Sequence, residues 1–130
     1  PIVAMQSFVI LMFVLTFGGT IYDMIDKQNA TYFFKNWKKR YFVLDTKTHT
    51  LRYFKDDSLS QENGIFHLGS GNVVQDSDLK PFCFELIVGE RHLYMYADTE
   101  EDKQDWVKAL EAAILEAPLE NGIFEGVDKT

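Results

Sequence analysis

The chain has 130 residues, of which 46% are hydrophobic, 25% are charged and one is cysteine. This length and composition predict one globular domain that closes a hydrophobic core without a disulfide or a metal, and they exclude a disordered chain. Cys83 lies between Phe82 and Phe84 and is expected to be buried. A lone cysteine favours a reducing, intracellular compartment.

The N-terminal stretch is apolar. Residues 1–22 contain no charged side chain, and residues 8–15 are an unbroken apolar run. A membrane-spanning helix needs about 20 such residues, so this stretch is interpreted either as a membrane anchor or as an extra segment packed on the domain. Residues 21–27 are needed as the first strand. The sequence therefore predicts a hydrophobic N-terminal segment at 1–20, a domain at 21–117 and a tail or linker at 118–130.

A predicted loop at residues 28–36 combines aromatic rings with a cation. It contains Tyr32, Phe33 and Phe34 directly before Lys35. Apolar rings beside a lysine can enter the headgroup region of a membrane while the ammonium stays with the phosphates. We expect these four residues and Lys39 to contact a membrane. The alternative is that the rings extend the strands and pack inside the protein.

The next strand carries the most informative pattern. Because side chains alternate between the faces of a strand, Lys38, Arg40, Phe42 and Leu44 share one face. This pattern predicts a strand in the wall of a small barrel, with the apolar residues in the core and Lys38 and Arg40 at an open, cationic rim. A cationic rim can hold an anion.

The charges are unevenly distributed along the chain. Residues 27–55 hold eight basic residues and one acidic residue, a net +7, whereas the rest of the chain holds five basic and 19 acidic residues. The Debye length is about 8 Å in physiological salt, so a partner can sense the two regions almost separately. The net charge of −7 makes a nucleic-acid partner unexpected, and none is predicted.

The remaining elements are predicted from the spacing of apolar residues, which alternates in the strands and then changes to helical spacing near the C-terminal end of the domain. Alternating or apolar runs between turn residues predict five more strands, at 50–55, 64–68, 72–75, 82–88 and 91–97. From 99 to 117, apolar residues at helical spacing, Trp106 among them, predict one amphipathic helix that closes an end of the barrel. The pentapeptide Glu-Asn-Gly-Ile-Phe occurs twice, at 62–66 and 120–124, and the sequence offers no physical account of this repetition.

These elements, taken in order, resemble the pleckstrin-homology (PH) family over roughly residues 21–115. The resemblance implies a mainly β fold, a seven-stranded barrel of two orthogonal antiparallel sheets capped by one C-terminal helix. The residues that carry it are Lys27, the run Trp37-Lys38-Lys39-Arg40-Tyr41-Phe42-Val43-Leu44, Tyr53-Phe54-Lys55, Gly64-Ile65, Phe84-Glu85-Leu86 and Trp106.

The resemblance also implies a function. In family members with this basic pattern, a lysine ending strand one and a Lys-x-Arg motif in strand two grip phosphoinositide phosphates, and a tyrosine of strand three donates its hydroxyl. Those roles fall here on Lys27, Lys38, Arg40 and Tyr53. Lys35 and Lys39 are assigned to general attraction by the membrane, and Trp106, Phe42 and Leu44 to the core.

The expected partners are therefore phosphoinositides, with recruitment from the cytoplasm to the inner face of the plasma membrane or to endomembranes. Two acidic residues, Asp23 and Asp26, depart from the family pattern, and their carboxylates would weaken phosphate binding by like-charge repulsion. No cofactor and no metal are expected.

An enzyme is disfavoured by the sequence. His49, His67 and His92 have no metal-ligand spacing, and Cys83 has no neighbours that would activate a nucleophile. The main alternative is a protein-protein interaction module, since the same fold can present a sheet edge or a helix face to a peptide without specific lipid binding.

Overall fold

The computed structural model describes residues 16–26 and 37–126. Eight strands and one helix follow one another in the order β1 Thr16–Asp26, β2 Lys38–Asp45, β3 Thr50–Phe54, β4 Glu62–His67, β5 Val73–Ser77, β6 Cys83–Val88, β7 Arg91–Tyr96, α1 Glu100–Leu115 and β8 Ile123–Gly126. The prediction of a mainly β fold with one C-terminal helix is confirmed.

The strands form one antiparallel sheet in the order β5-β6-β7-β1-β2-β3-β4-β8. The long strand β1 joins its two halves. It pairs with β2 from Thr16 to Asp23 and with β7 from Tyr22 to Asp26. The two predicted sheets are therefore continuous through β1, and the sheet surrounds a single core.

The core is built by the alternation that the sequence shows. On β2, Arg40, Phe42 and Leu44 are buried, whereas the intervening side chains are more exposed. From α1, Trp106 enters the core with 3% of its surface exposed, and its ring meets Phe17 edge-on at 4.6 Å between centroids. Cys83 is fully buried, as expected.

The helix is fixed at both ends. The Thr99 side chain accepts a hydrogen bond from the Asp102 backbone N–H at 3.1 Å, and the first turn is acidic, an arrangement that satisfies a free donor and suits the helix dipole. Near the other end, His49 Nδ1 lies 2.7 Å from the Ala113 carbonyl oxygen. This contact ties α1 to the turn between β2 and β3.

Two predicted boundaries were wrong. Strand β1 begins at Thr16, so residues 16–20 belong to the sheet and not to a separate N-terminal segment. These residues pair in register with β2 as far as Asp45, which a strand starting at residue 21 could not do. Residues 1–15, where the membrane anchor was considered, lie outside the described part of the chain.

The second wrong prediction is the tail or linker at 118–130, because residues 123–126 form strand β8. Strand β8 pairs antiparallel with β4, with Phe66 opposite Phe124. The two copies of Glu-Asn-Gly-Ile-Phe thus end in neighbouring positions of paired strands. Phe66 and Phe124 are the one pair of repeat residues that face each other, because Gly64 and Ile65 lie opposite Gly126 and Glu125.

The approach to β8 is held by the loop between β4 and β5. Backbone N–H groups of Ser70 and Gly71 donate to the carbonyls of Leu119 and Glu120 at 2.6 and 2.7 Å. The Asn72 side chain donates to the Asn121 carbonyl at 2.8 Å. Gly122, at φ +73°, then turns the chain into the strand in a conformation that glycine adopts without strain.

Candidate anion-binding site

The basic end of β2 lies beside β1. Asp23 is the register partner of Lys38, Tyr22 of Lys39 and Ile21 of Arg40. Lys38 is half-buried on the face that Arg40 shares, and Lys39 is exposed on the other face, with its Nζ 6.0 Å from the centre of the Tyr22 ring. The strand therefore presents cations on both faces.

Arg40 is buried, not exposed at a rim as the sequence predicted. It is 5% exposed, and Asp23 is fully buried. Arg40 Nε donates to Asp23 Oδ2 at 3.0 Å, and Nη2 donates to Oδ1 at 2.8 Å. The reason is that Asp23 lies on the core-facing side of the neighbouring strand and supplies the counter-charge that a buried guanidinium requires.

Tyr53 lies beneath this ion pair. The Arg40 guanidinium carbon is 4.7 Å from the centre of the Tyr53 ring, a cation–π contact. Tyr53 is fully buried, and its ring packs near Phe42 and Phe66. The structure thus brings Arg40 and Tyr53 together but holds the tyrosine inside the protein, whereas the expected phosphate contact requires its hydroxyl to be accessible.

Gly64 explains how Tyr53 fits. A Cβ atom at Gly64 would lie 2.6 Å from the Tyr53 ring and hydroxyl. Glycine at this point of β4 leaves room for the ring across the strand pair. The Gly64-Ile65 dipeptide was noted in the sequence only as part of the family resemblance. Its structural role is the contact of Gly64 with the Tyr53 ring on the neighbouring strand.

A cavity of about 250 Å³ adjoins Arg40 on the side of the β3–β4 loop. Its cations are Lys39, Arg40 and Lys55, and its other lining residues are Thr20, Tyr41, Asp56 and Asp57. Hydrogen bonds from the Ser58 side chain and backbone lower the pKa of Asp56, so this carboxylate is ionised and already engaged. Lys55 lines the cavity, although its place in the site was not predicted from the sequence.

The predicted site is only partly within the described residues. Lys38, Arg40 and Tyr53 lie on adjacent strands, and Lys39 is exposed beside them. Lys27 and the predicted membrane-contacting residues Tyr32, Phe33, Phe34 and Lys35 lie outside the described ranges. Asp23 was noted from the sequence as a departure from the family, but its pairing with Arg40 was not foreseen.

Neither a metal centre nor a membrane-spanning helix is found in the described ranges. Across 16–26 and 37–126, no group of three or more His, Cys, Asp or Glu side chains is placed to hold a metal ion. Over the same ranges, no helix is long and apolar enough to cross a bilayer.

Comparison with known proteins gives a consistent result. The family model for the PH domain matches residues 19–115. Pleckstrin homology domain-containing protein 1 of Arabidopsis thaliana is 30% identical over 92 residues, which cover 65% of this chain and 62% of that protein. Ras GTPase-activating protein 1 of Homo sapiens is 30% identical over 119 residues, which cover 73% of this chain and 11% of that protein.

Solved structures match over a similar range. The C-terminal PH domain of pleckstrin has a TM-score of 0.64 at 27% identity, covering 75% of this chain and 94% of that chain. The same domain in complex with D-myo-Ins(1,2,3,5,6)P5 has a TM-score of 0.62 at 29% identity, covering 75% and 93% of the two chains.

Proposed function

Because the chain belongs to the PH domain family, we propose that it is a membrane-targeting module that binds phosphoinositide headgroups through the basic end of β2. Lys38 and Arg40 provide the phosphate contacts. Lys27 completes the site when a headgroup is bound, whereas the Tyr53 hydroxyl stays inside the protein. Its role is binding and not catalysis.

One observation carries this proposal: Arg40, which shares one face of β2 with Lys38, lines a cavity together with Lys39 and Lys55. Headgroup phosphates carry two or more negative charges, and a guanidinium fork with nearby ammonium groups matches them. The pleckstrin domain that binds inositol pentakisphosphates supports the same ligand class here.

Electrostatics gives the domain an orientation at the membrane. Each basic residue near an anionic leaflet contributes about 1 kcal/mol, which supports weak, salt-sensitive attraction through the net +7 of residues 27–55. The acidic first turn of α1, Glu100 to Asp102, is repelled by the same leaflet. The basic end of the barrel therefore turns towards the membrane, with Tyr32, Phe33, Phe34, Lys35 and Lys39 contacting it.

A second candidate is a protein-interaction module without specific lipid binding. The observation that favours it is the Asp23–Arg40 ion pair, which already neutralises the central cation. Strand β5 is one end of the sheet order among the described strands, and its Val73 is 45% exposed. Such a strand can accept an extended peptide.

Vesicle cosedimentation at two salt concentrations separates these candidates. Vesicles containing phosphatidylinositol bisphosphate are compared with phosphatidylserine vesicles of equal charge, at about 0.1 and about 0.5 M salt. Lys38→Ala is compared with Arg52→Ala, which removes an exposed charge from the outer face of β3.

The lipid proposal expects wild type and Arg52→Ala to sediment with phosphoinositide vesicles at the higher salt, and Lys38→Ala to remain in solution. Equal loss in both variants would mean general charge attraction without a pocket. Failure of wild type to sediment with any vesicle would favour the protein-interaction module.

A further inference from the structure

We propose that Asp23 sets the affinity threshold of the phosphoinositide site, because its carboxylate occupies the Arg40 donors that a phosphate must take. This inference rests on the proposed function. Arg40 Nε and Nη2 donate to the two Asp23 oxygens at 3.0 and 2.8 Å. A phosphate would use the same fork of parallel N–H groups, so Asp23 and the headgroup compete for it.

The competition is strong because the ion pair is inside the protein. Asp23 is fully buried and Arg40 is 5% exposed, so water and salt screen their attraction little. The two residues of the ion pair are also held in place by paired strands. Asp23 and Arg40 lie two register positions apart on paired β1 and β2, and the Tyr53 ring supports the guanidinium at 4.7 Å.

Displacing Asp23 leaves a buried carboxylate next to the incoming phosphate, which is unfavourable. A headgroup that contacts only Arg40 cannot offset this cost. One with several adjacent phosphates can, because it also engages Lys38, the register partner of Asp23, and the exposed Lys39 and Lys55 that line the neighbouring cavity. Asp23 therefore lowers the affinity for every headgroup, and only headgroups with several phosphates bind in spite of it.

The test is calorimetric titration of the 130-residue chain with a soluble inositol tetrakisphosphate and an inositol bisphosphate. Asp23→Asn keeps the side-chain shape and one acceptor oxygen while removing the charge. Asp105→Asn, on the exposed face of α1, is the matched control for net charge. A third protein, Asp23→Asn with Arg40→Gln, replaces the ion pair by two neutral side chains.

We expect Asp23→Asn to bind the bisphosphate at least about fivefold more tightly than wild type. The tetrakisphosphate should gain at least as much, because the Asp23 carboxylate repels its larger charge more strongly. Asp105→Asn should match wild type, and the double variant should bind neither ligand. Unchanged affinity for both ligands in folded Asp23→Asn would overturn the inference alone. Absence of binding by wild type and by Asp23→Asn would end the lipid proposal as well.

If Asp23→Asn does not fold, the wild-type protein still shows whether a headgroup displaces Asp23 from Arg40. The side-chain N–H signal of Arg40 in the NMR spectrum reports which acceptor holds the fork. We expect this signal to shift in step with backbone signals as tetrakisphosphate is added. A stationary Arg40 signal while the signals of Lys38 and Lys39 shift would show that Asp23 is not displaced, and it would overturn the inference.

Discussion

Phe66 and Phe124, the last residues of the two identical pentapeptides, lie opposite each other on β4 and β8 with their ring centres 4.5 Å apart. Phe124 also lies parallel to Tyr53, at 6.3 Å between centroids and 2° between planes. The Arg91 guanidinium carbon stands 4.3 Å from the centre of the Phe124 ring. The C-terminal strand therefore reaches the tyrosine that supports Arg40.

Phe124→Ala is expected to lower the free energy of unfolding by about 2 kcal/mol, less than for a fully buried phenylalanine because Phe124 is half-buried. The change removes the ring that packs on Phe66 and Tyr53. Ile123→Ala is the control, since Ile123 is 53% exposed on the same strand. Urea unfolding monitored by circular dichroism measures both, and equal midpoints for the two variants would contradict a structural role for β8.

Trp106→Ala is expected to cost about 3 to 5 kcal/mol, as for other large-to-small changes in a core. Trp106 is 3% exposed, and its ring meets Phe17 and Phe42. Leu115→Ala is the control on the same helix, because Leu115 is 77% exposed. A melting temperature of the tryptophan variant equal to that of the control would contradict the position of α1 over the core.

The stability of the folded domain depends on pH through Glu85. Burial alone raises the pKa of Glu85, but hydrogen bonds from His92, Gln75 and Tyr94 outweigh it and hold the pKa below its ordinary value of 4.5. A carboxyl with a lowered folded-state pKa stabilises the fold above its unfolded-state pKa, and this stabilisation is lost as pH falls through the folded-state value. Acid below about pH 4.5 should therefore destabilise the protein partly through Glu85.

Denaturant unfolding at about pH 7 and about pH 3 tests this effect with Glu85→Gln. The variant should be less stable than wild type at the higher pH and should lose less stability on acidification. Glu111→Gln, at an exposed helix position, should lose as much as wild type. The assignment to Glu85 is wrong if all three proteins lose the same amount.

Much of the fold could be predicted because its signals are local. Period-two alternation placed Phe42 and Leu44 in the core, where both are fully buried, and helical spacing placed Trp106 on the buried face of α1. The extent of β1 was missed because residues 16–20 were assigned to the apolar N-terminal segment, whereas the strand begins at Thr16. A four-residue strand such as β8 has too little pattern of its own, and only the repeated pentapeptide marked it.

The site was harder to predict because it depends on register. Asp23 and Arg40 are 17 residues apart in sequence, and their contact follows from the pairing of β1 with β2, which alternation alone does not determine. The available signal was the Asp23 carboxylate inside a strand whose one other charged residue, Asp26, is its last. Such a residue is buried only with a counter-charge, and Arg40 was the arginine predicted on the adjacent strand.

The most direct test of the central claim is to map inositol tetrakisphosphate binding onto the backbone by NMR. We expect the largest shift changes at Lys38 to Arg40 and at Lys55 to Asp57, which flank the cavity beside the ion pair. Changes concentrated instead at Asp76 to Leu79 and Lys103, which line a separate groove, with the start of β2 unmoved, would contradict the claim.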